Sequence, residues 1–259
     1  MKKSLIALAV TGAFISTSAQ ADYYTYEGVT GVNANITYGG LPPVNSNVVA
    51  GQFSMSNEDG IDFYAFCVDI FNTIQPGHNY DVGSSNPFGW TDKQSSKVSY
   101  LFDNYDNVTI NGVSSSLGSG VTAAHAGAFQ LALWEILNEE DDSPMTGNPG
   151  SLSNDLFKAS GISASVKGAA EDWVTAAWNF AGDAYESFKY DFEYADGSPF
   201  TVSVFGRVPV GQDLIIWKEK GGSGGDEIPG TEIPEPAPLA LMGLGLLGLG
   251  FTTRRYRKS

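Results

Sequence analysis

The hydrophobic period of this chain changes twice, and that limits the architectures open to it. From Tyr23 to Phe71 apolar and polar residues follow a period of two, rich in aromatic and β-branched side chains. After Pro87-Phe88-Gly89-Trp90 the period becomes that of a helix, and from Phe188 the period of two returns. Strands, then helices, then strands predict an α+β fold. Its economical form is a β-sandwich or barrel from residues 22–90 and 187–220, with a helical lobe of residues 91–186 inserted.

In the first strand block the pattern predicts Tyr23 to Gly28, Asn33 to Tyr38, Asn47 to Met55 and Ile61 to Phe71 as strands. Gly39-Gly40-Leu41-Pro42-Pro43 and Asn57-Glu58-Asp59-Gly60 supply the turns. In the fourth strand Phe63, Ala65, Cys67 and Asp69 share one face, and Tyr64, Phe66, Val68 and Ile70 the other. Both faces are largely apolar, so the strand is expected to be central, with Cys67 buried near its end.

Thr91 followed by Gln94 forms a capping-box signal, and Val98, Leu101, Phe102 and Tyr105 give the stripe of an amphipathic helix. Thr122 caps a second predicted helix running to about Asn138. Within it Ala128-Phe129-Gln130-Leu131-Ala132-Leu133-Trp134 is apolar on nearly every side except at Gln130. A helix apolar all round is buried, and a buried amide must find partners or be used chemically. Asn154 to Ser160 reads as a short helix and Ser165 to Tyr185 as a longer one. Phe188 to Tyr194, Phe200 to Gly206 and Asp213 to Lys218 read as the closing strands, with a turn at Asp196-Gly197-Ser198-Pro199.

The termini lie outside this domain. Met1-Lys2-Lys3, the apolar run to Ile15 and Ala19-Gln20-Ala21 make a signal peptide of residues 1–21, cleaved between Ala21 and Asp22. Residues 221–236 form a Gly/Pro-rich linker. Residues 237–253 are uncharged, at the short end of a membrane-spanning helix, and residues 254–259 form a basic tail that the positive-inside rule keeps cytoplasmic. The letters of a dinucleotide fingerprint at Gly243 to Gly248 have no strand before them and no βαβ unit after, so small residues of a membrane helix explain them better.

With 29 acidic against 14 basic residues and a net charge of −15, the chain would be repelled by phosphate backbones, which excludes nucleic acid as a partner. Two histidines, His78 and His125, and one cysteine at no metal-site spacing leave no zinc site, and Glu139-Glu140-Asp141-Asp142 lacks the ligand alternation of a calcium loop and reads as a solvated helix end and loop. No cofactor or metal is expected. The single cysteine cannot form an internal disulfide, and an unpaired thiol on an exported chain calls for an explanation.

Pro234-Glu235-Pro236, the Gly/Leu-rich span and the arginine-rich end together resemble a PEP-CTERM sorting signal. The resemblance implies a Gram-negative exported protein. It would be held first at the inner membrane, processed by an exosortase-type enzyme, and delivered to the envelope or the extracellular matrix. Phe66-Cys67-Val68-Asp69 and Gln130-Leu131-Ala132-Leu133-Trp134 resemble the thioester (Cys-Gln) domains of bacterial surface proteins, with Phe129 where many members carry Thr. That resemblance implies a β-sandwich or barrel with a helical insert, and Cys67 and Gln130 as a bond-forming pair.

On that reading the Cys67 sulfur attacks the Gln130 side-chain carbonyl and ammonia leaves. The thioester then captures an amine or hydroxyl on a host or matrix molecule, without enzymatic turnover. Orientation contributes about 7–11 kcal/mol to such intramolecular steps. Tyr64, Phe66, Asp69, His125, Phe129 and Trp134 are the expected surroundings of the bond. The alternatives are a satisfied core glutamine in a non-covalent polysaccharide-binding or structural matrix module, with Trp90 or Trp217 as stacking platforms, and a Cys-His hydrolase using Cys67 with His78 or His125. An apolar, acidic setting disfavours the last of these.

Overall fold

The structure, a computed structural model, describes residues 22–39, 44–74, 77–84, 86–139, 151–153, 156–182, 184–197 and 211–220. Seven strands occur among them: β1 (Asp22–Tyr38), β2 (Val44–Asn57), β3 (Asp62–Cys67), β4 (His78–Gly83), β5 (Phe157–Ser160), β6 (Tyr190–Asp196) and β7 (Leu214–Glu219). Three α-helices lie between β4 and β6: α1 (Asp92–Asp103), α2 (Ala123–Asn138) and α3 (Ala164–Phe180). All the strand pairings are antiparallel.

β1 pairs with β2, β2 with β3, β3 with β7, β7 with β6, β6 with β4, and β4 returns to the start of β1. The ladder thereby closes on itself, a barrel-like α+β arrangement in which no member of the ring has a wholly free edge. β1 is long enough to serve twice: Asp22 to Tyr24 pair with β4, and Asn35 to Tyr38 pair with β5. The β2–β3 turn is held by the Asn57 side chain, which accepts from the Asp59 and Ile61 backbone N–H groups, with Gly60 in the left-handed region at φ 75°.

The predicted capping box starts α1: Thr91 accepts from the Gln94 backbone, and the Gln94 side chain accepts from the Thr91 N–H. Thr122 caps α2 as expected. α2 then lies across β1 and β2 and against α3, buried at every position from His125 to Ile136. At Gly127 a Cβ would come within 2.5 Å of Val32, so glycine sets how closely α2 approaches β1.

Four expectations need correction. Tyr23 to Tyr38 is one strand, because the glycines inside it stay paired with β2, Gly31 opposite Gly51. Residues 157–160 are strand β5, not helix: Phe157 and Ala159 face inward and the C-terminal half of β1 takes them as its partner. The third helix stops at Phe180 rather than Tyr185. Buried Asp103 draws the following segment away, accepting from Tyr185 Oη, Ser187 Oγ and the N–H groups of Phe188 and Lys189. Glu139 is no solvated acid, since it is buried and accepts the Phe157 N–H at 2.8 Å. β4 had no sequence expectation.

The signal peptide, the expected strand Phe200 to Gly206, the linker, the span 237–253 and the tail lie outside the described residues. Among the described residues no helix is long and apolar enough to cross a membrane.

Candidate functional site

Cys67 ends β3 and Gln130 sits midway along α2; neither has any solvent exposure. On one side of β3 the ladder runs on normally, with Cys67 opposite Leu214 and the Val68 N–H donating to the Asp213 carbonyl at 3.0 Å. On the other side β2 follows β3 only as far as Phe53 opposite Ala65. Beyond that point no strand among the described residues pairs with Cys67 on this side. The Gln130 carboxamide fills the gap: Cys67 N–H donates to Gln130 Oε1 at 3.0 Å, and Gln130 Nε2 donates to the Cys67 carbonyl at 2.7 Å. A side chain 63 residues away thus completes the strand, and the two buried backbone groups that would otherwise be orphaned are paired.

This arrangement occurs twice among the described residues. Gln52 makes the same reciprocal pair with Gly118, Nε2 to the Gly118 carbonyl and Gly118 N–H to Oε1, each at 3.0 Å. The difference is that Gly118 carries no nucleophile and Cys67 does.

The Cys67 thiol donates to the Asp69 carbonyl at 2.6 Å. Burial pushes the thiol well above its ordinary pKa, with the Asp69 and Asp213 carboxylates adding to the shift. The Trp134 side chain lies close enough to work in the opposite direction, although its indole N–H completes no hydrogen bond. Asp69 organises the loop behind the site. Its Oδ1 accepts from the N–H groups of Phe71 and Asn72, and its Oδ2 from Asn72 Nδ2 and, at 3.4 Å, from the Asp213 N–H. The Asp213 carboxyl is pushed up to about 7, chiefly by burial and further by Asp69 and Asp196, against a Gly197 N–H that favours its charged form.

A cluster of buried aromatic rings lies beside Gln130 along α2 and on the other face of β3 from Cys67. Phe129, next to Gln130, lies 4.7 Å from Phe66, 4.9 Å from Phe102, 5.2 Å from Tyr105 and 5.6 Å from Trp173, centroid to centroid. Phe66 stacks on Trp217 at 5.3 Å.

Of the residues singled out in the sequence, Cys67 and Gln130 meet, Asp69 and Trp134 adjoin the thiol, and Phe66 and Phe129 pack on each other in the neighbouring ring cluster. His125 is buried in the first turn of α2, its Nδ1 2.7 Å from Thr122 Oγ1 and its ring 6.3 Å from Tyr105. Burial lowers its pKa, and no contact joins it to Cys67 among the described residues. Tyr64 is half-buried beside Gly118, at the second amide pair rather than the first.

His78 contributes backbone to β4, and its side chain lies outside the described residues. Trp90 packs on Phe88 and Tyr194, and Trp217 on Phe66 and Phe102, and both rings are half-buried. Asp22 opens β1, whereas Ala21, Pro234, Glu235 and Pro236 lie outside the described residues.

Sequence reasoning missed Asp213 and Gln52. An aspartate heading a predicted strand carries no local signal of burial, but Gln52, a glutamine among apolar strand residues, carried the same signal as Gln130. No group of three or more potential metal ligands occurs among the described residues.

Residues 232–255 match the model of the PEP-CTERM protein-sorting motif. The chain carries an exosortase sorting signal. The PEP-CTERM motif implies an exported protein, processed by exosortase at the membrane and then released to the cell surface. It covers the C-terminal segment alone. No curated protein and no solved structure matches the chain.

Proposed function

We propose that Cys67 and Gln130 form an internal thioester and that the exported domain uses it to capture a nucleophile at the cell surface or in the matrix. One observation carries the reading: the Gln130 carboxamide is held by two hydrogen bonds against the very residue whose thiol would attack it.

Both bonds serve the step. The Cys67 N–H on Oε1 stabilises negative charge as it develops on that oxygen, and the Cys67 carbonyl holds the nitrogen that departs. The S–C bond forms and the C–N bond breaks. The thiol proton leaves with the nitrogen, which departs as ammonia. The buried, aromatic setting excludes water from the product. The elevated thiol pKa keeps the thiolate scarce, which slows attack.

Capture is the reverse step with a different nucleophile. An amine or hydroxyl of a surface protein or polysaccharide adds to the Gln130 carbonyl carbon, the C–S bond breaks, and the nucleophile's proton returns to Cys67. Each chain reacts once, as a stoichiometric adhesive with no turnover, consistent in purpose with delivery to the surface by the sorting signal.

The second reading is a non-covalent structural module in which Gln130 only completes the strand. Gln52 favours it, because the same amide geometry at Gly118 is purely structural. Intact mass separates the two. The thioester predicts a mass short of the sequence sum by one ammonia, a deficit that Cys67→Ala abolishes; a full mass for the unaltered chain refutes it.

A further inference from the structure

The two hydrogen bonds at Cys67 restrict which product of capture the site can hold. A carboxamide that gives its oxygen and an N–H to the same residue must use the hydrogen on the same side of the C–N bond as the oxygen. Gln130 does this, with Oε1 on the Cys67 N–H and Nε2 on the Cys67 carbonyl. A primary amide always has such a hydrogen. A secondary amide in its favoured trans form does not: its single N–H points away from the oxygen, and its substituent occupies the position facing the acceptor. In this fold the substituent would be driven into the Cys67 carbonyl, now 2.7 Å from the nitrogen, in a pair with no solvent exposure.

We infer that the Cys67–Gln130 pair is selective for ammonia as the nucleophile it can take back, and that capture of any substituted amine ejects the Gln130 amide from the Cys67 backbone. The inference rests on the thioester reading above. Ammonia adds to the Gln130 carbonyl carbon, the C–S bond breaks, one proton passes from nitrogen to sulfur, and the native amide with both hydrogen bonds is restored. A substituted amine follows the same balance but yields an amide that must turn away or adopt the cis form. The cis form is disfavoured by roughly 70-fold. Turning away leaves the end of β3 without its partner and opens the seam between β3 and α2. Ammonium is therefore a silent reset of the domain, and a captured amine leaves a structural mark.

The test uses the mature, exported chain in its ammonia-deficient form, treated with isotope-labelled ammonium or with methylamine, with Cys67→Ala as the unreactive control. Mass locates the label on Gln130, and hydrogen exchange reads the Cys67 N–H. Expected is incorporation of both nucleophiles, native protection of Cys67 N–H after ammonium, and exchange at least about 50-fold faster after methylamine. Equal protection in the two products overturns the inference while leaving the thioester intact, as does a thioester inert to both reagents. A full mass before treatment sinks the thioester reading and the inference with it.

Discussion

Replacing Gln130 by Met, in a Cys67→Ala background so that no covalent link contributes, isolates the strand-completing role of the amide. Met keeps the length and approximate volume of the side chain, so little cavity is created. What is lost is the partner of two backbone groups on a residue with no solvent exposure. Each buried group left unsatisfied costs about 1–3 kcal/mol, so the pair costs about 2–6 kcal/mol, and relaxation of the strand end favours about 4.

Gln52→Met in the same background is the matched comparison. It strips the same two bonds from Gly118, but those bonds are only partly buried and Gly118 is reached by water, so about 1 kcal/mol is expected. Urea unfolding, with coincident fluorescence and circular dichroism transitions as the check on two-state behaviour, measures both. For a domain of this size the Gln130 variant should melt about 8–16 °C lower. A loss below about 1 kcal/mol at Gln130, or equal losses at the two sites, would refute the assignment of Gln130 as the missing partner of β3.

Three other substitutions test neighbouring parts of the structure. The Asp213 carboxyl sits at about 7 in the folded chain against 3.8 for the free group, so the folded state holds the proton more tightly. Its contribution is therefore complete below about pH 4 and is lost as pH rises through 7. After discounting for its partial exposure to screening solvent this is worth about 1–2 kcal/mol, and Asp213→Asn should remove that slope from the difference in urea stability between pH 4 and 8. Phe129→Ala empties the centre of a ring cluster and should cost about 3–5 kcal/mol by the same assay. Asp103→Ala leaves four donors of residues 185–189 without their acceptor and should cost about 3 kcal/mol or more, with early exchange of the Phe188 and Lys189 N–H groups.

Where the sequence was legible, a local physical rule acted alone. The capping box at Thr91 and Gln94, the cap at Thr122 and the Asn57 turn depend on residues within four positions of each other, and the structure has all three. The burial of α2 followed from its all-round apolarity. What escaped depended on partners far away. β5 is four residues long and is a strand because β1 extends past β4 and offers it an edge. α3 ends early because Asp103, 82 residues before Tyr185, collects the donors beyond it. At the site, the meeting of Cys67 and Gln130 was implied by resemblance, but that β2 leaves β3 two residues short of Cys67 could not be read from periodicity.

That early departure of β2 explains why a glutamine is the residue type found on α2 here. A seam between a strand end and a buried helix needs one side chain able to give and accept at once, and glutamine on α2 does so over the available distance. Any residue at the strand end would satisfy that geometry, as Gly118 does for Gln52. Cysteine adds a nucleophilic side chain that could convert the hydrogen-bonded seam into a covalent one without a cofactor, from a position where burial, Asp69 and Asp213 make ionisation unfavourable. On the thioester reading, bond formation removes the nitrogen that donates to the Cys67 carbonyl, keeps the oxygen, and puts a covalent link across the same junction. Nucleophile capture then removes that link and, for a substituted amine, prevents the original pairing from re-forming. On the thioester reading, stability at this seam and reactivity of the bond are therefore one quantity, and a substitution that loosens β3 against α2 should slow thioester formation even where it touches neither Cys67 nor Gln130.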